Sequence, residues 1–173
     1  MFSWFTDLFL PKRRANDLYG AVVAFARTPL FYQDIGVADT PEGRYEILVL
    51  HLFLVMERLR SLGVEGERLS QELIDKFVTD IDDNFREMGI GDLSVPRKVK
   101  KAAGAFYDRA EVYRAAINGQ PKEALMAVFQ EFMPITQEYT FDRKALALHV
   151  ISLNRALKDQ SLNSLTQVLN AHL

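Results

Sequence analysis

At 173 residues, with 49% hydrophobic and 25% charged side chains, the chain is long enough to bury a proper core as one soluble globular domain. A formal net charge of −2 and a pI near 5.9 argue against a general binder of DNA or RNA, which would carry a basic excess. There is no cysteine, which excludes disulfides and thiolate metal sites, and the longest nearly unbroken apolar run, Ile47 to Met56, is too short to span a bilayer.

The first stretch, Met1 to Leu10, holds Trp4, Phe5 and Phe9, and Pro11 and the cations Lys12, Arg13 and Arg14 follow. That order is wrong for a secretory signal, which puts positive charge before the apolar part. It suits a membrane interface, where aromatic rings enter the headgroup region and cations meet anionic lipid, and it equally suits an arm packed on its own domain. Residues 1–14 are therefore read as an apolar and basic arm, and 15–173 as a single helical domain.

Leu18, Val22, Phe25 and Ala26 share one face of a helix over Ala15–Arg27, which Thr28–Pro29 stops. The next stretch, TPLFYQDIGVADTPEGR, which ends at Arg44, has no clear period, and Phe31, Tyr32 and Ile35 are expected to pin it across the core. Thr40–Pro41 opens a second helix, running to about Leu62, in which His51 is the only polar residue between Ile47 and Met56. Apolar all round, it should be the most buried helix, with His51 a satisfied core histidine. A third helix follows from Leu69 to Met88 and a fourth from Ser94 to Asn118. A fifth starts at Pro121 and stops at Pro134, a sixth covers Asp142–Leu157, and Ser161 caps a short last one. No strand-like alternation competes, so the fold class is all-α, a single bundle of about six to seven helices.

The third and fourth helices meet at Asp80–Lys101, DIDDNFREMGIGDLSVPRKVKK. The third ends with Asp80, Asp82, Asp83, Arg86, Glu87 and Met88, and Gly89 is available for a left-handed cap. The fourth opens with Ser94 as N-cap and Pro96 in its first turn, followed by Arg97, Lys98, Lys100 and Lys101. Acids at a helix C-terminus and cations at an N-terminus oppose the helix dipole, at ~0.3–1 kcal/mol per exposed charge. Two readings stand. The acidic end and the basic start neutralise each other across the short connection that holds Asp92, or the corner is a partner-binding surface that keeps locally unfavourable charges.

Enzyme chemistry is weakly represented. The glycines are scattered, no phosphate loop or nucleophile–base set is readable, and no Glu lies three residues before any of His51, His149 and His172. Asp80, Asp83 and Glu87 do share a helical face, so a carboxylate-metal enzyme is the alternative class, beside a peripheral lipid-binding module. No catalytic residue, metal or cofactor is expected.

The residues RYEILVLHLFLVMERL (Arg44–Leu59), LSQELIDKFVTDIDDNFREMGIGDLSVPRKVKK (Leu69–Lys101) and AFYDRAEVYRAAI make the chain resemble the ubiquinol–cytochrome c chaperone family. These are assembly factors for cytochrome b of the bc1 complex. The resemblance covers roughly Arg44 to Ile117, and it fades beyond Pro134, so the last helices are expected to be a local elaboration. It implies an α-helical, non-enzymatic chaperone that holds newly made cytochrome b during bc1 assembly. In mitochondrial members this involves a small partner protein and the ribosome. With no evident organelle leader, the chain looks like a bacterial-type member acting in the cytoplasm or on the inner face of the membrane. The residues expected to meet client or partner are those of the corner, Asp80, Asp82, Asp83, Arg86, Glu87, Met88, Asp92, Pro96, Arg97, Lys98, Lys100 and Lys101, together with Tyr107. Trp4, Phe5, Phe9, Lys12, Arg13 and Arg14 are expected to touch membrane.

Overall fold

The computed structural model describes the backbone of residues 3–134 and 140–171, with side chains from residue 13 onward. Those residues form seven α-helices and no strand: α1 (Ser3–Ala26), α2 (Pro41–Arg60), α3 (Gly63–Glu87), α4 (Val95–Asn118), α5 (Pro121–Phe132), α6 (Arg143–Lys158) and α7 (Leu165–Ala171).

Helix α2 is the centre. Val49 through Val55 are all buried, His51 among them, because α1, α3, α4 and α6 pack around it. Its start is fixed locally. Thr40 is extended and its side chain accepts from the Gly43 amide at 3.1 Å, with Pro41 in the first turn, where its missing N–H costs nothing.

Helix α1 differs from the sequence reading, which starts it at Ala15. The structure carries the helix through Pro11 from Ser3, so the N-terminal stretch has helical backbone continuous with α1. The side chains of Trp4, Phe5, Phe9 and Lys12 lie outside the described residues, as does His172, whereas Arg13 and Arg14 are exposed. From Ala15 onward, Leu18, Tyr19, Val22 and Phe25 are buried, on the side where α1 meets α2, α3 and α7.

The aperiodic segment after α1 is less irregular than its sequence. Leu30–Asp34 forms one π-helical turn, a conformation that recurs at functional sites, and Phe31, Tyr32 and Ile35 are buried as expected. Gly36 has φ +79°, and a Cβ there would lie 2.5 Å from the Thr140 carbonyl oxygen. Beside it the Asp142 amide donates to the Ile35 carbonyl at 2.8 Å, tying this segment to the start of α6.

His51 meets a histidine that its own helix could not supply. Its Nδ1 lies 2.7 Å from the Ile47 carbonyl, which can only accept, so Nδ1 carries the proton. Its Nε2 is then an acceptor, and His149 Nε2, at 3.2 Å, donates to it. Phe25 and Phe31 surround the pair, with ring centroids 4.8–5.8 Å away. Burial, then the neighbouring His149, pulls the His51 pKa down from 6.5 to about 3.

Candidate functional site

At the α3–α4 corner, α3 closes as its glycine allows. Gly89 has φ +76°, its amide donates to Arg86, and the Ile90 amide donates to Phe85, a Schellman cap. Ser94 does not cap α4, contrary to its expected role. Its φ of −95° and ψ of −23° are helical, and its side chain makes no capping bond, because Gly91–Ser94 already forms a turn that feeds into the helix. A capping serine must sit in extended backbone for its oxygen to reach back to the helix.

The corner's charges divide into four groups. Arg86 bonds Asp82, one turn back on α3, at 2.5 Å and Asp92, in the connection to α4, at 2.7 Å. Asp80 turns the other way and accepts from the Tyr19 hydroxyl at 2.9 Å. Lys98 sits 5.9 Å over the Phe85 ring. Asp83, Glu87, Arg97, Lys100 and Lys101 are exposed and form no ion pair with any described residue. No ion pair among the described residues therefore joins the acidic end of α3 to the basic start of α4; Arg86, from the acidic helix itself, pairs with Asp82 and Asp92 instead. Nor do Asp80, Asp83 and Glu87 converge. No group of three or more His, Asp or Glu among the described residues is placed to hold a metal ion, which corrects the carboxylate-metal alternative.

Apolar side chains stand out around these charges. Leu93 is 100% exposed, Met88 63% and Tyr107 54%, far from the fate of most leucines and methionines. Pro96 is exposed beside them.

Behind the corner lies a feature the sequence did not announce. A cleft of about 540 Å³ runs between the end of α1, the segment that follows it, the start of α2, the second half of α3 and Ala102 of α4. Val23, Leu48, Ile81, Phe85 and Met88 give it apolar walls, and a pocket of this size falls in the usual range for ligand or side-chain recognition. Its tyrosines are already engaged. Tyr32 donates to the Ala26 carbonyl at 2.6 Å and Tyr45 to the Ala102 carbonyl at 2.8 Å, and burial pushes both phenols up to about 12, so they stay protonated donors. At the rim Arg44 holds Asp39 at 2.6 Å, and this hydrogen bond keeps the Asp39 carboxyl below the usual carboxylate range. Arg27, also at the rim, forms no ion pair with a described residue.

The cleft and the corner are one surface. Phe85 and Met88 belong to both, and Lys98 lies one helical turn before Ala102, on the same side of α4. Beneath Tyr45, the buried Glu46 of α2 takes a two-pronged bond from Arg109 of α4, Nε to Oε2 at 2.6 Å and Nη2 to Oε1 at 2.5 Å. The Arg109 guanidinium lies 4.7 Å from the Phe132 ring centre and 5.9 Å from that of Tyr45. Burial pushes the Glu46 carboxyl up while Arg109 pulls against it. This pair fixes α4, and with it the cleft wall, against α2.

A family model described as ubiquinol-cytochrome C chaperone matches residues 33–171. The chain is also similar to a solved structure, the crystal structure of the Cbp3 homolog from Brucella abortus. The two share 33% sequence identity over 95% of this chain and 92% of that one, with a TM-score of 0.83. Among curated proteins nothing matches. The family match runs through α6 and α7 to residue 171, so these last helices belong to the shared domain and are not a local elaboration.

Proposed function

The chain belongs to the ubiquinol-cytochrome C chaperone family, and from that premise we propose that it is a non-enzymatic assembly chaperone for newly made cytochrome b. A segment of that client occupies the apolar cleft, and the α3–α4 corner meets the charged flank of the segment. The observation that carries this reading is the continuity of the cleft with unpaired cations and exposed apolar residues. A membrane client offers apolar helices with charged connections, and an amphipathic segment laid in a groove is a common mode of peptide recognition. We further assign peripheral contact with the inner membrane face to Trp4, Phe5, Phe9, Lys12, Arg13 and Arg14, on their aromatic-then-basic order. No helix among the described residues is long and apolar enough to cross a membrane.

Asn84 is exposed on the cleft wall, and its amide only bonds the Asp80 carbonyl one turn back. Asn84→Trp should fill the cleft while leaving thermal stability within about 0.5 kcal/mol of wild type, as surface changes usually do. In affinity purification from the native source, cytochrome b recovered with this variant should fall at least tenfold. Undiminished recovery with a folded variant would remove the cleft from the account.

A further inference from the structure

We propose that the partner segment at the α3–α4 corner carries charges of both signs around an apolar stretch, its acidic part over α4 and its basic part over the end of α3. This rests on the reading above that the corner meets the client, and it selects among the classes of molecule that an exposed basic cluster would otherwise admit. Taken alone, Arg97, Lys100 and Lys101, beside the partly positive start of α4, would suit RNA or an anionic lipid surface. They are not alone. Asp83 and Glu87 are equally exposed and equally without an ion pair, one turn apart on the adjoining end of α3, where the helix end is partly negative. Asp82 and Asp92 share Arg86, so that group adds a further negative charge and no free cation.

A polyanion or a charged bilayer presents one sign over the whole footprint. It would be attracted at α4 and repelled at α3. A protein segment can present both signs, and across an interface such complementarity sets orientation and the speed of association. The exposed Met88 and Leu93, in the connection between the two charged edges, supply the apolar middle that a bipolar segment needs and RNA does not. The arrangement therefore sets the direction in which a segment lies as well as attracting it.

The test uses the full chain and three synthetic helical peptides with a shared leucine-rich centre. One is acidic at one end and basic at the other, one is acidic at both ends, and one is basic at both. An RNA oligonucleotide and vesicles containing phosphatidylserine complete the set. The wild-type chain should bind the bipolar peptide most tightly. Asp83→Lys with Glu87→Lys, and separately Lys100→Glu with Lys101→Glu, should each weaken that binding about tenfold. The Asp83/Glu87 reversal should also act in the opposite sense on the all-acidic peptide, the RNA and the vesicles, all of which it should bind more tightly. If either double variant melts without cooperativity, Glu87→Lys and Lys100→Glu singly carry the same comparison. Tighter wild-type binding of RNA or vesicles than of the bipolar peptide overturns the proposal. So does equal binding of all three peptides, binding of none, or indifference to the reversals. If the reversals leave cytochrome b recovery intact while Asn84→Trp abolishes it, this inference falls and the cleft reading stands.

Discussion

Replacing Arg109 with Met is expected to destabilise the protein by about 3–5 kcal/mol, because it leaves the Glu46 carboxylate buried without its partner. In a chain of this size that lowers the melting temperature by on the order of 10 °C. Methionine keeps much of the volume over Phe132 and Tyr45, so the loss is electrostatic rather than a cavity. Two further measurements separate the causes. Adding Glu46→Leu to Arg109→Met should recover most of the loss, since apolar replacement of a whole buried ion pair is often close to neutral. The penalty of the single variant should also shrink as the pH falls toward the point where Glu46 takes a proton. That point is already raised by burial in the native protein, and without Arg109 it moves higher. A double variant as unstable as the single one would show that Arg109 matters through packing on the rings instead.

Acidification should weaken the wild-type fold through a different group. His51 titrates near 6.5 when unfolded and at about 3 in the native core. Between those values the unfolded chain binds a proton that the folded chain refuses, so stability rises with pH there. The contribution is complete above about 6.5 and is lost progressively as the pH falls toward 3. From pH 7.5 to 5 this amounts to about 2 kcal/mol. The geometry explains the refusal. His51 Nδ1 already donates to Ile47, so an added proton must go to Nε2, where it would face the N–H of His149. Urea unfolding at both pH values should show this loss in wild type and a loss smaller by about the same amount in His51→Leu. The variant should also be less stable at pH 7.5, because His149 Nε2 loses that acceptor. An unchanged pH slope in the variant would place the acid sensitivity elsewhere.

What could be read in advance was whatever depends on near neighbours in the chain. The step pattern of Leu73, Phe77 and Ile81 marked α3, and the uninterrupted apolar run of α2 marked it as central; both follow from helical period and burial alone. Gly89 was legible as a left-handed cap because only backbone freedom was at stake. Ser94 was misread because a capping residue type was judged without its backbone, which turned out helical. Ser161 was misread for a related reason. Its amide donates to Ser164 Oγ within a turn, and α7 begins only at Leu165. Long-range pairs left no local trace. His51 and His149 are 98 positions apart, and Glu46 and Arg109 are 63 apart. The cleft was hidden most completely, since its walls come from segments far apart in the chain. The corner lay between these cases. Its charges were conspicuous in sequence, but whether they cancelled depended on where Arg86 reached.

The central claim is that this chain holds newly made cytochrome b through the joined cleft and corner. It is tested most directly by pulse-labelling protein synthesis in the native source and recovering the chain a short time later. The wild type should bring down labelled cytochrome b. A variant with Arg97, Lys98, Lys100 and Lys101 all changed to Gln should bring down much less, while its stability holds or rises slightly because charges opposed to the helix dipole are gone. Higher salt in the recovery buffer should weaken the wild-type association in the same direction. Full recovery of labelled cytochrome b by the folded quadruple variant, or none by the wild type, would contradict the account.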